Sequence, residues 1–211
     1  MRKWIPAVAV VIALILSVLA YPHLPDPMPS HWDAHGRVNG TMGRFWGAFL
    51  LPLIMVPLWA LLRWLPSIDP RRANYARFQG TYDLMVACSI GLLALIHVTV
   101  LAVALGYPIR IDRVTPIGVG LLFVVIGNLL PRARPNWFFG IRTPWTLSND
   151  RVWERTHRVG GYLMLASGVL LVISGVAGVV WLPVAVIACV LVMTVGLLAY
   201  SYVAWKQETG S

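Results

Sequence analysis

The chain has 211 residues, of which 58% are hydrophobic and only 12% are charged, and its formal net charge is +9. An ordinary soluble domain is about 25% charged, and apolar runs long enough to cross a hydrocarbon core recur along this chain. These runs are solid blocks without the alternation of a transmembrane β-barrel, which excludes that class. The composition predicts an all-α, polytopic membrane protein.

Six apolar runs predict six transmembrane helices, which form one membrane domain over residues 1–211. The predicted spans are Ile5–Ala20, Trp46–Leu65, Leu84–Leu105, Thr115–Leu130, Val159–Leu182 and Pro183–Trp205. They divide the domain into three sub-regions, residues 1–65, 66–130 and 131–211. The fourth span is short, and it can still cross the bilayer if its flanks lie at head-group depth.

The first span has two interpretations. Arg2 and Lys3, followed by an apolar stretch and Val18-Leu19-Ala20, are also typical of a cleavable signal peptide. An uncleaved anchor is the preferred interpretation. Either one places the segment after Ala20 on the outer side.

The distribution of positive charge predicts the orientation. If both termini are cytoplasmic, 13 of the 17 Lys and Arg residues lie on the inner side, and four lie outside: Arg37, Arg44, Arg110 and Arg113. The positive-inside rule favours this orientation in the cell membrane. The excess charge indicates contact with anionic lipid head groups and not direct binding of nucleic acid.

The outer loop between the first two spans contains His31-x-Asp33-x-His35. In an extended segment these side chains point the same way, and two imidazoles with a carboxylate are plausible zinc ligands for a metal-dependent membrane hydrolase. The spacing does not match a helical H-E-x-x-H site. A ligand-contacting loop is therefore preferred, with no metal or other cofactor expected. Asn39-Gly40 predicts a turn before the second span.

Two polar residues lie inside predicted spans. His97 is in the third span and Asn128 is near the inner end of the fourth. Either residue could line the path of a small-molecule or peptide transporter. A neutral histidine hydrogen-bonded to a neighbouring helix is the preferred interpretation of His97. The spans contain almost no charge, which argues against an ion-coupled transporter.

The inner loop contains the polar, aromatic segment "NWFFGIRTPWTLSNDRVWERTH", Asn136 to His157. It could be an interfacial loop in which Trp and Phe lie at the head groups and Arg binds lipid phosphate. It could also be a docking surface for a cytoplasmic partner, because Trp, Tyr and Arg often anchor interfaces. From Ser148 onward the pattern predicts a helix with Ser148 or Asn149 as the cap and a Glu154–Arg158 pair.

The fifth span carries Gly161, Gly168 and Gly175 at a spacing of seven. Such a seam of small residues lets another helix approach closely, within the chain or between chains. No catalytic set of Ser, His and Asp, no phosphate-binding glycine loop and no pair of carboxylates is evident in the spans. The chain is therefore not expected to be an enzyme.

Two segments together resemble a known family. "GNLLPRARPNWFFGIRTPWTLSNDRVWERTHRVGG", Gly127 to Gly161, closely resembles the signature of the SdpI family of bacterial membrane immunity proteins. "LPDPMPSHWDAHGRVNG", Leu24 to Gly40, resembles a small N-terminal domain often fused to it, although Asn39 stands near the place where that domain usually has an aspartate.

The resemblance implies a function and a set of site residues. The founding family member protects its producer from a secreted peptide toxin, and it holds a helix-turn-helix repressor at the membrane when the toxin is bound. The implied partner-binding positions are Asn136, Trp137, Gly140, Arg142, Thr143, Pro144 and Trp145, with Asn128, Pro131, Thr146 and Thr156 also matching. In the outer loop His31 and Gly36 match, and the ligand-sensing residues expected there are His31, Asp33, His35 and Gly36.

Overall fold

The structure, a computed structural model, describes residues 2–210. Its elements in chain order are α1 (Ile5–Ala20), β1 (Met28–Trp32), β2 (Val38–Met42), α2 (Arg44–Ile68), α3 (Gln79–Ala104), α4 (Ile111–Leu129), α5 (Pro144–Ser148), α6 (Asp150–Ala177) and α7 (Leu182–Thr209). All of these helices except α5 are long and apolar enough to span a membrane. The predicted six-helix membrane fold is therefore confirmed, including its fourth span.

Five of the six spanning helices begin before the apolar runs that predicted them, whereas α1 coincides with its run. The helix of the fifth span, α6, begins at Asp150 and not at Val159. Asn149 sets this start, because its side chain accepts hydrogen bonds from the backbone N–H groups of Arg151 and Val152. The predicted cap is confirmed. Hydropathy marks the lipid-facing part of a helix, whereas capping groups decide where the helix begins.

Two sets of connections lie at opposite ends of the helices. The hairpin end carries the β1–β2 hairpin, the α3–α4 loop and the α6–α7 turn. The basic end carries the start of α1, the α2–α3 loop (residues 69–78), the end of α7, and the long loop (residues 130–149), which includes α5. At the basic end the α2–α3 loop hydrogen-bonds to the long loop. The side of the membrane that each end faces stays a prediction.

The helices form two groups. Helices α1, α2 and α3 pack on one another, α6 packs against both α4 and α7, and contacts between α3 and α4 join the groups. The most extensive contact is between α4 and α6, where Gly120 faces Gly168 and Gly127 faces Gly161. A Cβ added at Gly168 would lie 2.6 Å from the carbonyl oxygen of Gly120. The glycine seam predicted on α6 therefore packs α4 of the same chain, backbone against backbone.

Two prolines in α2 free carbonyl groups that other helices bind. Pro52 has no N–H to donate to the carbonyl of Ala48, and the Ser17 hydroxyl of α1 donates to that oxygen at 2.6 Å. Pro66 likewise frees the carbonyl of Leu62, and the Tyr82 hydroxyl of α3 donates to it at 2.6 Å. A backbone group without a partner is costly in lipid, so these side chains fix α2 between α1 and α3.

The hairpin is the main departure from the prediction. β1 and β2 pair antiparallel, with Met28 opposite Met42. The turn predicted at Asn39-Gly40 is wrong, because both residues lie in β2 and the chain turns earlier, at residues 33–36. Met28 is fully buried among residues of α2, α3 and α4, so the hairpin is anchored on the helix ends.

Candidate functional sites

A groove of about 640 Å³ lies at the hairpin end, and we call it the hairpin-end groove. One wall is the hairpin, and the others come from α2, α3, α4 and the start of α7. Its surface is mainly apolar, with Trp32, Trp46 and Ile187 among its residues, and Asp112 supplies a carboxylate. It therefore suits a ligand that is largely apolar and carries a few polar groups.

Two of the four expected ligand-sensing residues, His31 and Asp33, line this groove. His31 is exposed and its Nδ1 hydrogen-bonds to Oδ1 of Asn39 on the paired strand. Asp33 accepts the backbone N–H groups of His35 and Arg37 at 2.8 and 2.9 Å. The bond from Arg37 lowers the pKa of the Asp33 carboxyl, which keeps it ionised.

The prediction that His31, Asp33 and His35 point the same way is wrong. The chain leaves β1 at Trp32 and turns, and the Asp33 carboxylate is used to close that turn. His35 lies instead in a shallow depression beside Trp181 and Val184. Within residues 2–210, no group of three or more His, Cys, Asp or Glu side chains is arranged to hold a metal ion.

At Gly36 the hairpin turn packs closely against Asp112, in the first turn of α4. A Cβ there would lie 2.9 Å from Oδ1 of Asp112. The Asp112 side chain is 4% exposed, and Arg110 holds it with two hydrogen bonds, at 2.9 and 2.6 Å. This pairing raises the pKa of Arg110. The expected sensing residue Gly36 thus joins the hairpin to a charged pair at the start of α4.

At the basic end, a network of hydrogen bonds joins the α2–α3 loop to the long loop. The carboxylate of Asp69 accepts the hydroxyl of Tyr75 at 3.0 Å and the backbone N–H of Trp137 at 2.9 Å. Burial, and then the bond to Asp69, raise the pKa of Tyr75, so its hydroxyl keeps its proton. Asn136 is fully buried, and its Oδ1 accepts the backbone N–H groups of Phe138 and Phe139.

His157 supports the next part of the long loop. Its Nδ1 lies 2.8 Å from the carbonyl oxygen of Trp153, and its Nε2 lies 3.0 Å from the backbone nitrogen of Ile141. A carbonyl only accepts and an amide N–H only donates, so the ring is the neutral tautomer with the proton on Nδ1. Gly140 has φ +103, and a Cβ there would overlap Nε2 of His157. Only glycine suits this position.

The short helix α5 has a capping box at its start. The Thr143 hydroxyl accepts the N–H of Thr146, and the Thr146 hydroxyl accepts the N–H of Thr143. Pro144 occupies the first helical position, where a missing N–H costs nothing. Thr143 also contacts Ser201, at 3.0 Å, and Trp145 packs on the ring of Tyr202. These contacts hold the long loop against α7.

The seven expected partner-binding residues therefore divide into two groups. Asn136 and Thr143 are buried, and Gly140 is pressed against His157, so these three shape the loop. The other four reach the surface to different degrees: Trp137, Arg142 and Pro144 are exposed, and Trp145 is half-buried. Arg142 donates from Nη1 to the carbonyl of Trp137 at 2.7 Å.

Sequence reasoning missed three contributors to this site: Asp69, Tyr75 and His157. Asp69 follows a helix end directly before a proline, which is a weak signal of a capping role.

The predicted Glu154–Arg158 pair is not formed, because Glu154 pairs with Arg134 of the long loop at 3.0 Å.

The two polar residues predicted inside the spans, His97 and Asn128, differ in burial and in hydrogen-bond partners. His97 is fully buried, and its Nε2 lies 2.9 Å from the Ser17 hydroxyl of α1, as expected for a histidine bonded to a neighbouring helix. Asn128 is exposed on α4 and accepts from Arg132 at 3.3 Å. Neither residue lines the hairpin-end groove or the second cavity described next.

The second cavity, of about 560 Å³, is called the basic-end cavity. It lies between α4, α6 and α7, and it extends from the middle of α7 to the long loop. Residues 139–143 of the long loop close one side of it.

Comparison with known proteins gives matches along most of the chain. Residues 132–201 match the model of the SdpI/YfhL protein family, and residues 8–56 match a model described as a domain of unknown function (DUF1648). The immunity protein SdpI of Bacillus subtilis (strain 168) is 26% identical over 214 aligned residues that cover all of both chains. The uncharacterized membrane protein YbgB of the same strain is 32% identical over 98 residues, which are 46% of this chain and 87% of that protein.

No solved structure matches the chain. The first family match begins in the long loop and continues through α6 into α7. It therefore includes most of the long loop and the two helices against which that loop packs. The second match contains the hairpin and most of α1. With its six apolar helices, the chain is a multi-pass membrane protein and belongs to the SdpI/YfhL family.

Proposed function

We propose that this protein is a membrane immunity protein that resists a membrane-active peptide and also acts as its receptor. The observation that carries the proposal is the full-length match to the immunity protein SdpI. Similarity confined to one segment would support a shared module only. Here both the hairpin region and the long loop lie inside the matched length.

The hairpin-end groove is the proposed peptide site. Membrane-active peptides have an apolar face, and the groove offers an apolar surface of about 640 Å³. Val184 lines it from the start of α7 and is 62% exposed, so the groove can be reached from the bilayer side. With the predicted orientation, this end faces outward, where a secreted peptide arrives.

The long loop is the proposed docking site for a cytoplasmic helix-turn-helix repressor. Trp137 is 48% exposed, and it lies beside Arg142 on a loop that buried hydrogen bonds hold in shape. Exposed Trp and Arg side chains on a rigid support are typical of residues that anchor interfaces. No enzymatic step is part of the proposal.

Survival of toxin-sensitive bacteria that lack their own immunity protein tests the first half of the proposal. Cells that express the wild-type chain are expected to survive challenge with the killing peptide. Val184→Trp fills the groove and is expected to abolish protection. Val192→Trp makes the same change on α7, at a residue that is 72% exposed and lines neither cavity, so it should protect like wild type.

The second half is tested by capture of the repressor at the membrane. Trp137→Ala is expected to protect normally but to leave the repressor in the cytoplasmic fraction after toxin challenge. Equal amounts of each variant in the membrane, checked by immunoblot, are required. The immunity proposal fails if cells that express the wild-type chain do not survive, and the assignment of the groove fails if Val184→Trp protects like wild type. The docking proposal fails if Trp137→Ala still captures the repressor.

A further inference from the structure

The basic-end cavity has the size and surface of a site for a hydrocarbon chain. Its volume, about 560 Å³, lies within the range of roughly 300–1,000 Å³ that is usual for small-molecule sites. Its walls are almost wholly apolar, with Phe123 and Ile126 from α4, Met164 from α6, and Val190 and Leu197 from α7.

The cavity opens sideways along α7. Val195 and Leu198 line it and are 68% and 47% exposed, and α7 packs mainly against α6. Because these residues belong to a membrane-spanning helix, the opening lies at the depth of lipid tails. A lipid acyl chain can therefore enter without passing through water.

One charged residue stands at the end of the cavity nearest the head groups. Of the lining residues within the described chain, Arg142 alone is charged. A guanidinium carries five N–H donors, and Nη1 of Arg142 uses one of them for the Trp137 carbonyl. Arginine binds phosphate with two parallel hydrogen bonds where the geometry allows it. Most of the chain's Lys and Arg residues also lie at this end.

We propose that the basic-end cavity binds one anionic phospholipid, with an acyl chain inside the cavity and the phosphate on Arg142. The sign of the charge selects the lipid. A zwitterionic choline head group would bring a second cation close to Arg142, whereas a glycerol head group brings none. The inference does not rest on the proposed function, because its readout is bound lipid and not survival or repressor capture.

Native mass spectrometry of the full chain in detergent micelles tests the proposal. The protein is titrated with phosphatidylglycerol or with phosphatidylcholine of the same acyl chains. A complex with one lipid per chain is expected, at a phosphatidylglycerol concentration roughly tenfold lower than for phosphatidylcholine, because the choline cation is repelled by Arg142. Equal affinity for the two lipids would overturn the head-group assignment.

Variants separate the head group from the chain. Arg142→Ala should remove the roughly tenfold preference, and Arg142→Lys should keep part of it. Val190→Trp fills the cavity and should abolish the one-to-one complex, whereas Val192→Trp, on another face of α7, should bind lipid like wild type. Val195→Trp narrows the opening from an exposed position, so the test stands even if Val190→Trp does not fold.

Two further outcomes would overturn the proposal. In one, the tryptophan variants at residues 190 and 195 bind as much phosphatidylglycerol as Val192→Trp, which means that lipid binds elsewhere. In the other, the wild-type spectrum shows a protein dimer without lipid, and Val195→Trp dissociates it, which means that a second copy covers this face.

Discussion

At the scale of single residues, the long loop depends on buried polar groups that come from distant parts of the chain. Asp69 lies before the third helix and His157 lies inside α6, yet both bind backbone N–H groups of the loop. A buried N–H left without a partner costs about 1–3 kcal/mol. Buried residues therefore decide the positions of Trp137 and Arg142, the two exposed side chains of the proposed docking site.

Gly140→Ala tests this dependence, with Gly106→Ala as its matched control. Both glycines have positive φ, +103 and +89, so each substitution carries a backbone cost of about 1–2 kcal/mol. A Cβ at Gly106 meets no atom within 4 Å, whereas one at Gly140 overlaps His157. Thermal unfolding in micelles should show a larger loss for Gly140→Ala, by about 1–3 kcal/mol for the broken hydrogen bond. Equal losses would mean that the loop does not depend on His157.

At the scale of elements, side chains of α1 and α3 bind the carbonyls that prolines leave free in α2. The bond from Ser17 is useful because Pro52 cannot donate to Ala48. The free energy that this hydrogen bond contributes therefore depends on Pro52, which is not itself a donor or acceptor in the bond. A hydrogen bond between membrane helices is typically worth about 0.6–1.7 kcal/mol.

A double-mutant cycle between Ser17→Ala and Pro52→Ala measures this dependence. Pro52→Ala returns an N–H that can bind the Ala48 carbonyl, so Ser17→Ala should then cost less than it does beside Pro52. The expected coupling is about 1 kcal/mol, measured by thermal unfolding of the four proteins in micelles. A cost of Ser17→Ala that is the same in both backgrounds would show that the other partners of Ser17, the Ala13 carbonyl and His97, account for the effect.

At the scale of the whole molecule, the hairpin-end groove and the proposed docking loop lie at opposite ends of the helix bundle. The hairpin-end groove and the basic-end cavity both use α4 and α7 as walls. The division of charge between the ends, 13 Lys and Arg residues against 4, predicts that the basic end is cytoplasmic.

Cysteine labelling in intact cells tests this orientation. Thr41 on the hairpin and Ala73 in the α2–α3 loop are both exposed, and each is replaced by cysteine in a chain without Cys88 and Cys189. A membrane-impermeant maleimide should label the residue-41 variant in intact cells, and the residue-73 variant only after lysis. The reverse pattern would place the basic end outside and would remove the proposed docking site from the cytoplasm.

Much of this architecture could be predicted from sequence because its signals are local. Apolar runs predicted the six spanning helices, Asn149 predicted the start of α6, and the glycines of α6 predicted a close helix contact. The hairpin could not be predicted, because its short, polar strands lack alternation and are held by Met28 packing on distant helices. The contacts of Asp69 and His157 were also missed, since both join residues that the loop conformation brings together.

The glycine contact between α4 and α6 has a mechanical consequence. The long loop leaves α4 and enters α6, and these two helices touch through their backbones from Gly120–Gly168 to Gly127–Gly161. Because no flexible side chain separates them there, we expect the two helices to move as one rigid body. The hairpin turn rests on Asp112 at the far end of that body. We therefore expect a displacement of the hairpin to reach both ends of the long loop together.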